Sequence, residues 1–214
     1  MILSAGEGRR MLPLTEHTPK PLIEVKGKAL IVWHLEALAQ KGFCDIVINI
    51  AYLGYQIPQA LEDGKQWKVN IAYSDEQEEG GLESAGGIVK ALPLLGKETF
   101  LVVNADVFTA YDFSRQKVLE EGILAHLILV PNPAHNPQGD FNLINGKVLD
   151  QKAYTFSGIG YYSPQLFAKL SYGKLPLAPV LREAMKEGKI TGELYKGEWY
   201  DIGTPQRLEM VNGE

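Results

Sequence analysis

The chain opens Met1-Ile2-Leu3-Ser4-Ala5-Gly6-Glu7-Gly8-Arg9-Arg10 and soon reaches Thr18-Pro19-Lys20-Pro21-Leu22. A short apolar strand runs straight into a glycine loop. Gly6 and Gly8 let the backbone come closer to a ligand than any side chain permits, and they leave amide N–H groups to point at phosphate oxygens. Arg10 and Lys20 bring two cations to the same place. Pro19 and Pro21 fix φ on either side of Lys20, which predicts a stiff, extended segment carrying a preorganised cation. The competing view is an ordinary turn after a strand, with solvated Arg and Lys side chains. Two other phosphate loops are excluded. The Walker pattern needs Lys and then Ser or Thr after its second glycine, and the dinucleotide fingerprint needs a third glycine where Met11 stands.

Beyond this loop, apolar strand-like runs alternate with segments of helical period, which predicts an α/β fold on a largely parallel sheet. Leu30, Ile31, Trp33, His34, Leu35, Leu38 and Ala39 give 29–41 an apolar helical side, closed by Gly42. Strands are expected over 44–50, 69–73, 99–104, 124–130 and 154–162, and helices over 55–62, 84–92, 179–187 and 204–211. Asn145-Gly146 predicts a hairpin between 140–144 and 147–149. The 214 residues are expected to form one domain, in which 1–130 binds a nucleotide and 131–214 completes and closes the site. Residues 131–195 are expected to form a small lobe over the carboxyl edge of the sheet, where ligands bind in open α/β folds.

Composition narrows the partners. A net charge of -5 argues against broad nucleic-acid binding, which needs a basic face. No run approaches the ~18 apolar residues of a membrane span, and no signal-peptide pattern is present, so a cytoplasmic protein is expected. The apolar strand beginning at Met1 itself points to residues trimmed from a natural start. Cys44, the single cysteine, excludes an internal disulfide and is expected to be a buried thiol. His17, His34, His126 and His135 lack metal-ligand spacing, with His34 and His126 expected in the core or lining a groove. No Ser-His-Asp arrangement is visible, and Glu76, Glu78 and Glu79 read as a solvated acidic loop.

The run Leu3-Ser4-Ala5-Gly6-Glu7-Gly8-Arg9-Arg10-Met11-Leu12-Pro13-Leu14-Thr15, with Pro19-Lys20-Pro21-Leu22 after it, resembles the signature of sugar-1-phosphate nucleotidyltransferases. The resemblance implies a Rossmann-like, mixed and mostly parallel sheet flanked by helices, with a small sugar-binding lobe. It also implies nucleotidyl transfer from an NTP to a sugar 1-phosphate. The loop that wraps the nucleotide falls on Ala5, Gly6 and Gly8, the signature arginine on Arg10 in preference to Arg9, and the lysine near the reacting phosphate on Lys20. Gly81-Leu82-Glu83-Ser84-Ala85-Gly86-Gly87 is similar to the segment that reads the base, which assigns Gly81, Glu83 and Gly86 to the nucleotide. A simple glycine-rich opening of a helix is the alternative there.

Transfer between phosphates calls for a divalent cation to offset charge, and Mg²⁺ takes one or two carboxylates with phosphate oxygens and water. Asp106 and Asp201 fit, although each also reads as a turn or helix cap. Asn104-Ala105-Asp106 is similar to the family's Gly-Asp stretch, with Ala105 in place of glycine. Trp199-Tyr200-Asp201-Ile202-Gly203-Thr204 resembles its Trp-x-Asp-x-Gly-Thr segment. Gly139-Asp140-Phe141 and Phe156-Ser157-Gly158-Ile159 resemble the sugar-holding elements, giving Gly139, Asp140, Ser157 and Gly158 that role; a solvated turn carboxylate is the alternative for Asp140. The resemblance covers the whole chain and is strongest toward the short uridylyltransferases that act on N-acetylmuramate 1-phosphate in cell-wall recycling. Guanylyl transfer to mannose 1-phosphate and thymidylyl or uridylyl transfer to glucose 1-phosphate stay open. The chain stops without the acyltransferase β-helix of some relatives, so a bifunctional enzyme is not expected. A nucleotide-sugar sensor without catalysis would not need Arg10, Lys20, Asp106 and Asp201 together.

Overall fold

The computed structural model describes residues 1–113 and 119–213. In chain order the elements are β1 (Ile2–Leu3), β2 (Glu24–Val25), β3 (Lys28–Ala29), α1 (Leu30–Gln40), β4 (Asp45–Ile50), α2 (Gln56–Leu61), β5 (Asn70–Asp75), α3 (Glu83–Leu95) and β6 (Phe100–Asn104). There follow β7 (Val107–Thr109), β8 (Ala125–Val130), β9 (Phe141–Ile144), β10 (Lys147–Tyr162), α4 (Leu177–Lys186), β11 (Ile190–Leu194), β12 (Trp199–Asp201) and α5 (Pro205–Gly213). The main sheet has the order β11-β8-β10-β6-β1-β4-β5, with β9 paired to β10. Its strands are parallel except where β10 inserts antiparallel between β6 and β8, where β9 folds back on β10, and where the start of β10 meets β11 antiparallel at Lys147 and Thr191.

Alternation along the strands produces the layers. Val47 and Val102 face one way, against Ala85, Ile88 and Ala91 of α3 and Leu177 and Leu181 of α4. Ile46, Ile48, Leu101 and Val103 face the other way, against Ile31, Leu35 and Leu38 of α1 and Ile57 and Leu61 of α2. The mixed, helix-flanked sheet is therefore as expected. β1 lies between β4 and β6, so the chain leaves β1 toward one side of the sheet and later returns to the other. Between β1 and β6 the winding reverses, and the loops after those two strands open a crevice suited to a ligand. A third cluster packs Met11, Ile23, Val25 and Leu30 against Phe108, Ile202, Leu208 and Val211, which joins the segment after the glycine loop to the chain's last elements.

Several local expectations change. The second half is not a cover laid over the sheet: β10 and β11 belong to the sheet itself. The two strands expected around 147–149 and 154–162 are one strand, β10, because its register slips between Leu149 and Tyr154 and again between Phe156 and Ile159 without breaking pairing. α3 passes through Pro93 to Leu95 instead of ending at Leu92. Cys44 is exposed, not buried, because it lies in the connection just before β4 begins at Asp45. Among the described residues, no helix is long and apolar enough to cross a membrane.

Candidate active site

A cleft of about 490 Å³ opens where β1 and β6 end, walled by Ser4–Arg10, Lys20, Asn104–Asp106 and the 80–84 loop. Gly8 has φ 63°, and a Cβ there would stand 2.9 Å from Thr15 Cγ2 and 3.3 Å from Lys20 Cβ, so only glycine fits. The Gly8 carbonyl accepts from the Met11 amide at 2.8 Å and from the Thr15 hydroxyl at 2.9 Å, which fixes the turn. A Cβ at Gly6 would meet nothing within 4 Å, so the loop faces open space at that point. Both arginines line the cleft. Arg9 is turned back onto the Glu7 carboxylate, whereas Arg10 has no partner among the described residues.

The Lys20 segment differs from the expectation in one respect. Pro19 is extended, but Lys20 itself opens a 3₁₀ turn over Lys20–Leu22. The turn aims the side chain inward, where it is 11% exposed and its Nζ stands 2.6 Å from Asp106 Oδ2. Asp106 is held in place from both sides. The amide of Ala105 donates to the carbonyl of Leu3 at 2.9 Å, continuing the β1–β6 ladder, and β7 directly after it pairs antiparallel with β12.

That pairing sets Asp201 opposite Val107, and the Ile202 amide donates to the Asp106 carbonyl at 2.8 Å. The backbones at 106 and 201 are thus neighbours although the two residues stand 95 positions apart, with Asp106 in the cleft wall and Asp201 just outside it, next to Gly203 of the wall. Asp201 Oδ2 accepts from Arg207 Nη1 at 2.7 Å and lies 3.2 Å from His135 Nε2. Its Oδ1 is buried and has no hydrogen-bond partner among the described residues. An orphaned buried carboxylate oxygen carries a desolvation penalty that a cation would remove, so the donor set fits a divalent ion. Among the described residues no three His, Cys, Asp or Glu side chains come together, and a two-carboxylate site finished by phosphate oxygens and water is the habit of Mg²⁺.

Other expected residues divide. Ala5, Gly81 and Glu83 line the cleft, Glu83 with φ 61° at the start of α3. Gly86 does not: it is buried within α3, where a Cβ would stand 2.2 Å from the Gly173 carbonyl oxygen. Its smallness admits the 173–176 segment, whose Leu175 carbonyl accepts from the Ala85 and Gly86 amides at 3.0 and 3.1 Å. Gly139, Asp140, Ser157 and Gly158 also lie outside the cleft wall. Asp140 is not a free turn carboxylate, since one oxygen accepts from Asn136 Nδ2 at 3.1 Å and the other from the Phe156 amide at 2.9 Å. The Ser157 hydroxyl donates to Ile128 O at 2.7 Å and accepts from the Ile159 amide at 3.1 Å. Gly158, with φ 79°, leaves room for Asn104, whose Nδ2 would be 2.7 Å from a Cβ there.

Sequence reasoning missed Asn49, Asn104 and Lys174 in the cleft wall, and Arg207 and His135 on Asp201. It also misplaced Glu76. That carboxylate is not solvated but fully buried, accepting from Asn49 Nδ2 and from the Leu82 amide, both at 2.8 Å. Burial raises its pKa above the ordinary carboxylate value, with the two hydrogen bonds and Lys90 pulling the other way. Glu79 meets Lys90 at 2.6 Å and the Tyr172 hydroxyl, and these hold its pKa down to about 2.

Comparison with known proteins supplies the context for this cleft. The chain is 52% identical over 219 residues, covering 98% of it and 94% of the relative, to N-acetylmuramate alpha-1-phosphate uridylyltransferase of Neisseria meningitidis serogroup B. It is 30% identical over 227 residues, 96% of this chain and 92% of the relative, to the protein of the same name from Caulobacter vibrioides. The fold is shared with CTP:phosphocholine cytidylyltransferase from Streptococcus pneumoniae, at TM-score 0.77 and 20% identity over 99% of this chain and 96% of that one. Residues 1–141, from the glycine loop through β1, β6 and Asp106, match the Nucleotidyl transferase family, and this chain belongs to that family.

Proposed function

We propose that the protein transfers a uridylyl group from UTP to N-acetylmuramate 1-phosphate, releasing pyrophosphate and forming a UDP-sugar for cell-wall recycling. An oxygen of the acceptor phosphate attacks the α-phosphorus in line; the new P–O bond forms as the bond to the β-phosphate oxygen breaks, and pyrophosphate carries away the electron pair. The nucleophile is already an anion, so no protein base is needed, and the barrier is repulsion between phosphates. The single observation that carries the chemistry is the 2.6 Å contact between Lys20 and Asp106, which sets a cation and a carboxylate side by side in the cleft. The whole-length similarity to the Neisseria relative supports the choice of base and sugar.

In this reading the loop amides at Ala5, Gly6 and Gly8 and the unpaired Arg10 hold the triphosphate, and Lys20 neutralises charge at the reacting phosphates. Gly81 and Glu83 border the base. Asp106 and Asp201 would hold Mg²⁺, whose chemistry is to offset charge on the α-phosphate and pyrophosphate oxygens. Asp140 and Ser157 act on the acceptor by shaping the backbone at Phe156–Ile159, Gly158 lets that backbone bend, and Gly139 lets the neighbouring turn pack against Tyr154. We place the reaction in the cytoplasm, without nucleic-acid or membrane partners. The test is pyrophosphate release with UTP, GTP, CTP or dTTP, Mg²⁺ and a panel of sugar 1-phosphates. Turnover is expected with UTP and N-acetylmuramate 1-phosphate. A preference for another pair would replace the substrates, and silence with every pair would favour a nucleotide-sugar sensor.

A further inference from the structure

The glycine loop and the 80–84 loop come from different strands, yet one buried chain of hydrogen bonds joins them. The Ser4 amide donates to Asn49 Oδ1 at 2.8 Å, and the Ser4 hydroxyl donates to the Asn49 carbonyl. Asn49 Nδ2 donates to Glu76 Oε1, and Glu76 Oε2 accepts from the Leu82 amide, each at 2.8 Å. Glu76 is 0%, Asn49 2% and Ser4 5% exposed. The Glu76 carbonyl also accepts from the Gly81 amide at 3.1 Å. Gly87 of α3 completes the cradle, since a Cβ there would stand 2.6 Å from Glu76 Oε1 and 2.9 Å from Asn49 Nδ2.

The polarity of this chain is fixed at both ends. Two backbone N–H groups, at Ser4 and Leu82, terminate it, so the side chains between them must present acceptors outward in both directions. An asparagine followed by a carboxylate satisfies that requirement; two amides in series cannot, because one N–H would always face another. We propose that Glu76 is a positioning residue whose ionised carboxylate, acting through Asn49, sets the glycine loop and the 80–84 loop in register for the nucleotide. With no exposed surface, Glu76 touches no ligand and acts only through these neighbours. The proposal rests on the reading that both loops bind the nucleotide.

The argument yields a specific repair. Glu76→Gln leaves a donor facing Asn49 Nδ2. If the Asn49 amide flips to relieve this, its own donor turns toward the Ser4 amide, so the mismatch passes to the glycine loop and a buried N–H loses its partner. Adding Asn49→Asp restores an acceptor toward Ser4 and supplies a second one toward the new amide, so every donor is matched again with the charge moved by one residue. Hydrogen exchange of the 3–10 segment, UTP affinity by calorimetry, and kcat would be measured in the wild type, Glu76→Gln and the double variant. Glu76→Gln is expected to raise exchange at 3–10 and weaken UTP binding about tenfold, with kcat at saturating UTP within threefold of wild type. The double variant should recover exchange and affinity to within about threefold, and should recover folding if Glu76→Gln impairs it. Unchanged exchange at 3–10 in Glu76→Gln, or a double variant no better than the single one, would overturn the inference. A wild-type protein that binds no UTP would instead overturn the nucleotide reading, leaving the exchange result to judge the coupling by itself.

Discussion

Lys20 is 11% exposed and 2.6 Å from a carboxylate, so in the proposed reading it would exchange one partner for another when phosphate arrives, with its charge in place before the reaction. Lys20→Met should therefore lower kcat by about 10²–10³-fold, the range for losing one electrostatic contact in a transition state, with UTP affinity within about threefold. Single-turnover kinetics beside calorimetry would show the split, and an equal loss in both would remove Lys20 from the reacting centre. A different residue governs acid stability. Burial lowers the His34 pKa to about 4 against the opposing pull of the Val107 backbone and Asp106, and its Nε2 has no partner among the described residues. The unfolded chain binds this proton near pH 6.5 and the folded one only near pH 4, so stability is lost as pH falls through that window, by about 3 kcal/mol in all. His34→Asn should flatten the fall in urea midpoint between pH 6.5 and 4, measured with chelator present; an unchanged slope would place the acid sensitivity elsewhere. Lys20 and Asp106 could be found in the sequence because prolines and a strand end mark them. Glu76 and Cys44 could not, because whether an acid or a thiol is covered depends on which distant segment packs over it.

Glycines in one loop can serve different elements, and the cleft separates the two uses. Gly8 belongs to the fold: its φ of 63° and the Thr15 and Lys20 atoms crowding its missing Cβ make Gly8→Ala strained in two ways. A left-handed alanine alone costs about 1 kcal/mol, and a 2.9 Å contact with Thr15 adds to that. Gly6 is under no such constraint, since the space beside it is empty, and the proposed reading gives that space to the ligand. Gly6→Ala should hold Tm within about 1 °C and weaken UTP binding tenfold or more, whereas Gly8→Ala should lower both; thermal melts and UTP titration would tell them apart. A Gly6→Ala protein that binds UTP normally would show that the phosphates lie elsewhere. Elements with a local signature were legible. α1 ends in a Schellman motif at Gly42, with Phe43 N donating to Leu38 O and Gly42 N to Ala39 O, as a glycine after an apolar helical face suggests. β10 was not legible as one strand, because Asp150, Gln151 and Lys152 look like a loop where the register slips, and only the pairing with β9 and β8 carries the strand through.

At the scale of the molecule, the pairing of β7 with β12 closes the chain on itself and decides whether two remote carboxylates act together. Periodicity could not reveal it, since a three-residue strand has no pattern of its own and each aspartate reads equally well as a cap; the convergence was legible only through the family signature. The consequence is thermodynamic. A ligand that binds only the folded chain stabilises it by RT ln(1 + [L]/Kd), about 2.7 kcal/mol at a hundredfold excess over Kd, which for a chain of this size is about 5–10 °C in Tm. In the proposed reading UTP alone would engage the glycine loop, β1 and the 80–84 loop, whereas UTP with Mg²⁺ would also engage Asp201, and through β12 the α5 helix that packs Leu208 and Val211 with Met11 and Val25. The two increments should therefore separate. In the wild type, Mg²⁺ added to saturating UTP should raise Tm by several degrees more. Asp201→Asn should keep the increment from UTP and lose most of the increment from Mg²⁺, because Arg207 can still hold the side chain by its carbonyl oxygen while the unpartnered Oδ1, the atom that would be offered to the ion, is replaced by an amide. A full Mg²⁺ increment in Asp201→Asn would mean that the ion is held by Asp106 and phosphate alone, and that Asp201 serves only to anchor Arg207 and His135.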